Sequence, residues 1–310
     1  MHGRTIVGGL IVAAAFAIAP GAALADETDK TVDQINGAVA AEGTAPVTRN
    51  SDVSIPSTGS GLVTIGGDSQ PGEVAIELPE VTVDLPARGV ADQAGRTTVF
   101  DANGRAADIA VQPTANGVRA LVSIESAKAP ERYPFALGGD VVRLELQADG
   151  SVYGYDTEDV LVTRIAPAWA RDANGRDVPT YYELNGTTIV QIVSHRGGDW
   201  AYGITADPSL EFHWHWPYKA RAWFNRKETE RLYRNLYGPA LAGSAANLAC
   251  SLIPNPAIKI ACSAVVLAVV GDFTVNVTQA HNRRQCLTVD VYWLPRPWIN
   301  WNDKGGGRCN

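Results

Sequence analysis

The chain has 310 residues, with 26 Lys and Arg against 33 Asp and Glu and a formal net charge of -7. That length holds one large or two small domains, and the acidic balance argues against nucleic acid as a partner of the whole chain. Few Lys, a single Met and much Ala, Gly, Val and Asp give it the bias of a high-GC bacterial genome.

The start, Met1-His2-Gly3-Arg4, carries one firm positive charge and is followed by an apolar run over residues 6–19. Pro20-Gly21 ends the run and Ala23-Leu24-Ala25 supplies a small-x-small exit. Charged start, apolar middle and small-residue exit predict a secretory signal peptide over residues 1–25. The apolar stretch is short for a bilayer span, which needs roughly 20 residues. Residues 26–72 are poor in aromatic and large aliphatic side chains and include Ser57-Thr58-Gly59-Ser60-Gly61. Such composition buries too little apolar area to offset ordering entropy, so a flexible leader is expected, with room for a short helix near 30–41.

From residue 73 the pattern changes to period two. Val74-Ala75-Ile76-Glu77-Leu78 and Val81-Thr82-Val83-Asp84-Leu85 alternate between prolines. Turn signals follow at Asn103-Gly104, Asn116-Gly117, Asp149-Gly150, Asn174-Gly175 and Asn185-Gly186. Asn-Gly and Asp-Gly accept positive φ, which tight hairpin turns require, so residues 73–208 read as an antiparallel β module. The pentapeptide Asp-Ala-Asn-Gly-Arg occurs at both 101–105 and 172–176, and the same turn chemistry used twice accounts for it.

After Asp207-Pro208 comes a further alternating strand, with Phe212, Trp214 and Trp216 on one face and Glu211, His213 and His215 on the other. Asn225-Arg226-Lys227-Glu228 has the spacing of a capping box and predicts a helix over 226–237. Residues 240–252 and 258–282 form an apolar pair around Pro254-Asn255-Pro256, read as a helical hairpin. All four cysteines, Cys250, Cys262, Cys286 and Cys309, lie in the last quarter. With no CxxC, an even count in an exported chain reads as disulfides rather than zinc. Three connectivities are possible, and the local one, 250–262 with 286–309, is favoured. The expected fold class is α+β: an antiparallel all-β module, then a helical, disulfide-containing domain over 209–310 with a short terminal β segment.

Several pieces of text carry a resemblance. They are Ile109-Ala110-Val111-Gln112-Pro113, Val118-Arg119-Ala120-Leu121, Ala129-Pro130-Glu131-Arg132-Tyr133, Asp149-Gly150-Ser151-Val152 and Ala166-Pro167-Ala168-Trp169-Ala170. The stretch from Tyr182 to Gln191 and the motif Thr205-Ala206-Asp207-Pro208 belong with them. The span from about 106 to 208 resembles a β-rich module of uncharacterised secreted actinobacterial proteins. In those proteins it is joined to variable C-terminal parts, and Phe224-Asn225-Arg226-Lys227-Glu228-Thr229 with the apolar pair and the Cys286 tail is similar to one of them. Gly203-Ile204 stands where relatives tend to have Tyr-Pro. The resemblance implies export and architecture, and no catalytic residues.

No nucleophile elbow, P-loop, HExxH or dinucleotide loop occurs. His195 beside Ser194 reads as a loop histidine, and His213 with His215 is a weak metal pair because only Glu211 is near as a third ligand. No metal or cofactor is therefore expected. Residues 26–208 hold 13 Lys and Arg against 27 Asp and Glu, whereas residues 209–310 hold 12 against 6. Lys219, Arg221, Arg226, Lys227, Arg231 and Arg234, flanked by Trp214, Trp216 and Trp223, suit an anionic membrane or wall polymer. The same residues could instead dock on the acidic half. Lys259 and Asp272 argue against the apolar pair spanning a bilayer. The expectation is a secreted, non-enzymatic protein whose basic aromatic domain acts at an anionic surface. The alternatives are a secreted hydrolase of extracellular or wall polymers, and a glycan-binding module using Trp293, Trp298 and Trp301.

Overall fold

The computed structural model describes residues 20–43, 47–48, 53–58, 61–68, 74–87, 89–101, 106–115, 117–211, 219–236, 242–254, 256–292, 298–305 and 309. Helix α1 (Pro20–Glu42) precedes β1 (Val53–Ser54), β2 (Leu62–Asp68) and the long β3 (Val74–Asp84). Next come β4 (Ala91–Ala94), β5 (Thr97–Asp101), β6 (Ala107–Thr114), β7 (Gly117–Ile124), β8 (Arg132–Gly139), β9 (Arg143–Leu146) and β10 (Val152–Tyr155). Then follow β11 (Leu161–Ile165), β12 (Trp169–Arg171), β13 (Thr180–Asn185), β14 (Thr188–Val193), β15 (Ile204–Asp207) and β16 (Ser209–Glu211). β17 (Lys219–Phe224) leads into α2 (Arg226–Leu236), α3 (Ala242–Leu252), α4 (Pro256–Val265), a 3₁₀ turn (Val266–Val269) and α5 (Val270–Arg283). A hairpin of β18 (Cys286–Tyr292) and β19 (Trp298–Lys304) closes the chain's ordered elements.

The fold is α+β, mostly antiparallel sheet in the N-terminal part, with helices and two disulfides in the C-terminal part. One sheet runs β4-β5-β6-β7-β16-β11-β10-β9, and the other runs β13-β14-β8-β3-β17-β18-β19. Side chains from both, among them Val83, Phe100, Ile109, Val122, Phe135 and Ile189, fill one core. Strands such as β8 alternate buried with outward residues, so facing sheets bury their apolar sides together, whereas β7 is buried along its whole length. The sequence boundary at 208/209 is displaced: β16 pairs with β7 and β11, so residues 209–211 belong to the β module.

Three of the turn signals act as their chemistry requires, and Asn103-Gly104 and Asn116 lie outside the described residues. Gly150 (φ 84°), Gly175 (φ 78°) and Gly186 (φ 59°) all sit at positive φ. At Asp172, Oδ1 accepts from the amides of Asn174 (3.0 Å) and Arg176 (2.9 Å), while Oδ2 accepts from Arg176 Nε (2.8 Å) and the Ala201 amide (3.2 Å). Asp156 repeats the pattern, with Oδ1 accepting from the amides of Glu158 (2.8 Å) and Val160 (2.9 Å). The left-handed position is filled by Asp159 (φ 57°) in that loop and by Gly175 in the other. Burial pushes the Asp172 carboxyl up, but the Arg176 and Ala201 amides and the Arg176 guanidinium outweigh it and hold it below the ordinary carboxylate range. Its contribution is therefore complete at neutral pH and is lost as pH falls through the depressed value. Asp172→Ala is expected to destabilise by about 3 kcal/mol, since it removes the buried carboxylate whose several charge-assisted bonds organise an exposed loop. Urea titrations at pH 7 and pH 3 check this: the gap between variant and wild type should shrink at pH 3.

Where a flexible leader was expected over 26–72, the structure places α1 and two strands. Val32, Ile35 and Val39 recur at helical spacing and pack on Val99, Ala110 and Leu121. That stripe supplies what the composition as a whole lacks. Beneath the helix runs a polar seam: Gln112 Nε2 donates to Asn36 Oδ1 (3.1 Å), Arg119 Nη1 donates to Gln112 Oε1 (3.1 Å), and Trp169 Nε1 and Ser209 Oγ both donate to Asp207 Oδ2 (2.6 Å each). Glu42 closes the far end on Arg171 (2.8 Å).

β3 explains how two differently built halves share a sheet. Gly66 pairs with Glu80 and Asp68 with Glu77, so one residue of β2, Gly67, stands against two of β3, Leu78 and Pro79. The extra residue reverses the alternation. The apolar phase of the sequence shifts at the same place, from 74, 76 and 78 to 81, 83 and 85. β17 pairs with residues 74–77 beyond the shift. The register therefore puts Ala220, Ala222 and Phe224 on the same side of the sheet as Val81 and Val83.

On that side the helices pack. Phe224, Leu232, Ile258, Phe273, Val289 and Trp301 belong to a second core. Cys250–Cys262 joins α3 to α4, and Cys286–Cys309 ties the tail to the start of β18, the pairing favoured from spacing.

Candidate functional site

The basic residues singled out in the sequence separate into groups. Asn225 Oδ1 accepts from the Glu228 amide (2.9 Å), capping α2 as its spacing predicted. The helix turns Glu228, Thr229 and Leu232 inward. Arg226, Lys227, Arg231 and Arg234 are left exposed on the outer side. Arg231 lies 3.5 Å from the buried carboxylate of Glu228, and Arg234 lies 3.1 Å from Glu230 in a more exposed pair, so the two carboxylates offset part of the positive charge of this side. Arg221 is different: its side chain is 16% exposed and forms a bidentate pair with Asp290, so it is a sheet residue and not part of the basic helix face. Trp223 is half-buried beside it. Lys219 opens β17 at the register position of Tyr292. Trp214, Trp216, His213 and His215 lie outside the described residues.

α2 is fixed alongside α5. The Tyr233 and His281 rings stack with centroids 3.7 Å apart, and His281 Nδ1 lies 2.6 Å from Glu230 Oε2. Arg283 and Arg284, at the end of α5, extend the basic region. Asp303 pairs with Arg283 at 2.6 Å.

The continuous helical run Ile258–Arg283 is long and apolar enough to cross a membrane by length and composition. In the structure it is two-sided. Cys262, Val266, Val269, Phe273, Val277 and Ala280 are buried in the domain core. The other side exposes Ile260 (62%), Leu267 (69%) and Val275 (52%), with Ala264, Ala268 and Gly271 exposed between them. Steps of three and four place these residues in one stripe. Asp272, expected to oppose membrane insertion, accepts the Trp301 amide at Oδ2 (3.1 Å). Sequence periodicity missed the stripe because the run is apolar on every side. Only the fold shows which side the core takes.

The histidine and tryptophan candidates divide likewise. His195 is fully buried, with Nε2 3.0 Å from the Pro130 carbonyl oxygen and its ring edge-on to Tyr202. Its ring pins one loop to another. Among the described residues no group of three His, Cys, Asp or Glu could hold a metal ion. Trp301 is in the core, Trp298 is 52% exposed, and Trp293 lies outside the described residues. Compared with known proteins, the chain matches no family model, no curated protein and no solved structure.

Proposed function

We propose that this is an exported, non-enzymatic protein whose C-terminal half lies on an anionic lipid surface. The observation that carries the reading is the exposed apolar stripe from Ile260 to Val275, on a helical run whose far end packs at His281 against α2, the helix with Arg226, Lys227, Arg231 and Arg234 on its outer side. An amphipathic element with apolar residues on one side and Arg and Lys next to them enters the interface and draws anionic headgroups to its edge. The packed inner side and the Asp272–Trp301 contact favour lying on the bilayer over crossing it. Two disulfides are compatible with an extracellular location. Thr31, Val32, Ile35 and Val39, through which α1 packs on the sheet, all lie beyond residue 25, so removal of residues 1–25 would leave these contacts in place.

Because β17 completes its pairing on β3, the test uses the whole processed chain rather than a C-terminal fragment. Co-sedimentation with phosphatidylglycerol-containing vesicles is expected, with weaker binding to pure phosphatidylcholine and loss at high salt. The double variant Ile260→Asp, Leu267→Asp should lose about tenfold or more in partitioning, since each removed side chain is worth about 1.5–3 kcal/mol when fully buried. Arg226→Glu with Lys227→Glu should abolish the preference for anionic vesicles. Equal binding to both vesicle types by all these proteins would sink the reading.

A further inference from the structure

The other side of the C-terminal sheet carries chemistry that a lipid surface does not use. Along β17, β18 and β19 the residues opposite the helical core fall into cross-strand rows. Lys219, Tyr292 and Trp298 form one row, Arg221, Asp290 and Asn300 the next, and Trp223, Thr288 and Asn302 the third. They alternate with Ala220, Val291 and Ile299 and with Ala222, Val289 and Trp301, all in the core. This face therefore points away from α2–α5 and from the apolar stripe.

Its composition is specific. Trp298 is 52% exposed at the sheet edge, next to the half-buried Tyr292. Asn300 is exposed and Asn302 half-buried on the same strand. Asp290, itself buried, receives both the Arg221 guanidinium and the Asn302 amide, Nη2 at 2.8 Å and Nδ2 at 3.3 Å. Thr288 Oγ1 donates to the Asn302 carbonyl oxygen (3.4 Å), tying the strands at that row. The face thus offers flat aromatic rings beside the exposed Asn300 and the Asn302 amide, whose orientation is fixed by Asp290.

We propose that this face binds an uncharged oligosaccharide, with Trp298 and Tyr292 stacking on a pyranose ring and Asn300 and Asn302 hydrogen-bonding its hydroxyls. The C–H face of a pyranose carries partial positive charge and meets the negative face of an aromatic ring. Its hydroxyls donate and accept in the ring plane, as carboxamides also do. The central guanidinium is matched by Asp290, so the middle of the face has no net charge to select an anion. Asp290 is a positioning residue: it orients Asn302 and does not reach the ligand. Neither lipid headgroups nor acyl chains call for such a surface, so the site is independent of the lipid reading.

Calorimetric titration of the oxidised, processed chain with cellohexaose, chitohexaose and the anionic hexagalacturonate tests it. At least one neutral hexasaccharide should bind at up to millimolar concentration, with hexagalacturonate weaker. Trp298→Ala should weaken that binding by about tenfold or more while leaving the melting curve in place, because the ring is exposed. Asn300→Ala should weaken it several-fold. Leu267→Asp, which removes part of the lipid stripe, should leave sugar affinity unchanged, separating this site from the vesicle result. No binding of either neutral sugar, preference for hexagalacturonate, or full affinity in Trp298→Ala would each overturn the assignment.

Discussion

Reduction of the oxidised protein is expected to loosen the helical half before the β module. Cys250, Cys262 and Cys286 are fully buried, and the bridges close sequence separations of 12 and 23 residues. In the chain-entropy treatment, loops of this size contribute about 3 and about 3.5 kcal/mol. The first matters most for α3. Its buried residues include Ala245, Ala246 and Ala249, which bring little apolar area each, and its main packing is against other helices. A covalent link to α4 therefore replaces hydrophobic attachment that the alanines cannot provide. Cys250→Ser with Cys262→Ser should lower the urea midpoint in proportion to about 3 kcal/mol, and amide exchange in α3 should rise first. Cys286→Ser with Cys309→Ser should instead release the tail and fray β18 at the Cys286–Lys304 end. An unchanged midpoint on full reduction would show that packing alone holds these helices.

Much of this architecture could be read from side-chain periodicity. Hairpins at Asp149-Gly150 and Asn185-Gly186, the α2 cap at Asn225 and the short-range disulfides each depend on neighbours within one loop or turn. What sequence missed depends on distant contacts. Residues 26–72 are poor in apolar groups on average, yet three residues at helical spacing suffice for α1 because the outer side of β5–β7 accepts them. The sheet shared by the two halves is set by one extra residue between Glu77 and Glu80, a local feature with a global result. For the site, the sequence named the basic residues of α2. It grouped Arg221 with them, although Asp290, 69 positions away, claims that guanidinium. The apolar stripe was hidden because Ile260, Leu267 and Val275 look no different from Val266 and Val277 until the core is known.

The tryptophans of the tail give the clearest separation of roles, and Trp301→Ala is expected to be the most damaging single truncation in the C-terminal core. Trp301 is 1% exposed, edge-on to Phe273 at 4.7 Å and tilted against Phe224 at 6.2 Å. Removing it opens a cavity between β19 and α5, and truncations of this kind cost about 3–5 kcal/mol. Its indole Nε1 is buried with no hydrogen-bond partner among the described residues. Trp301→Phe then loses ring area but no hydrogen bond, so it should cost about 1–2 kcal/mol. Trp298→Ala, three residues earlier on the opposite side of the same strand, should stay within about 0.5 kcal/mol of wild type. Equilibrium urea unfolding of the three variants reads this order directly. A Trp298→Ala loss as large as that of Trp301→Ala would mean that the outer side of the sheet is held by packing, and would leave no exposed platform there for any ligand.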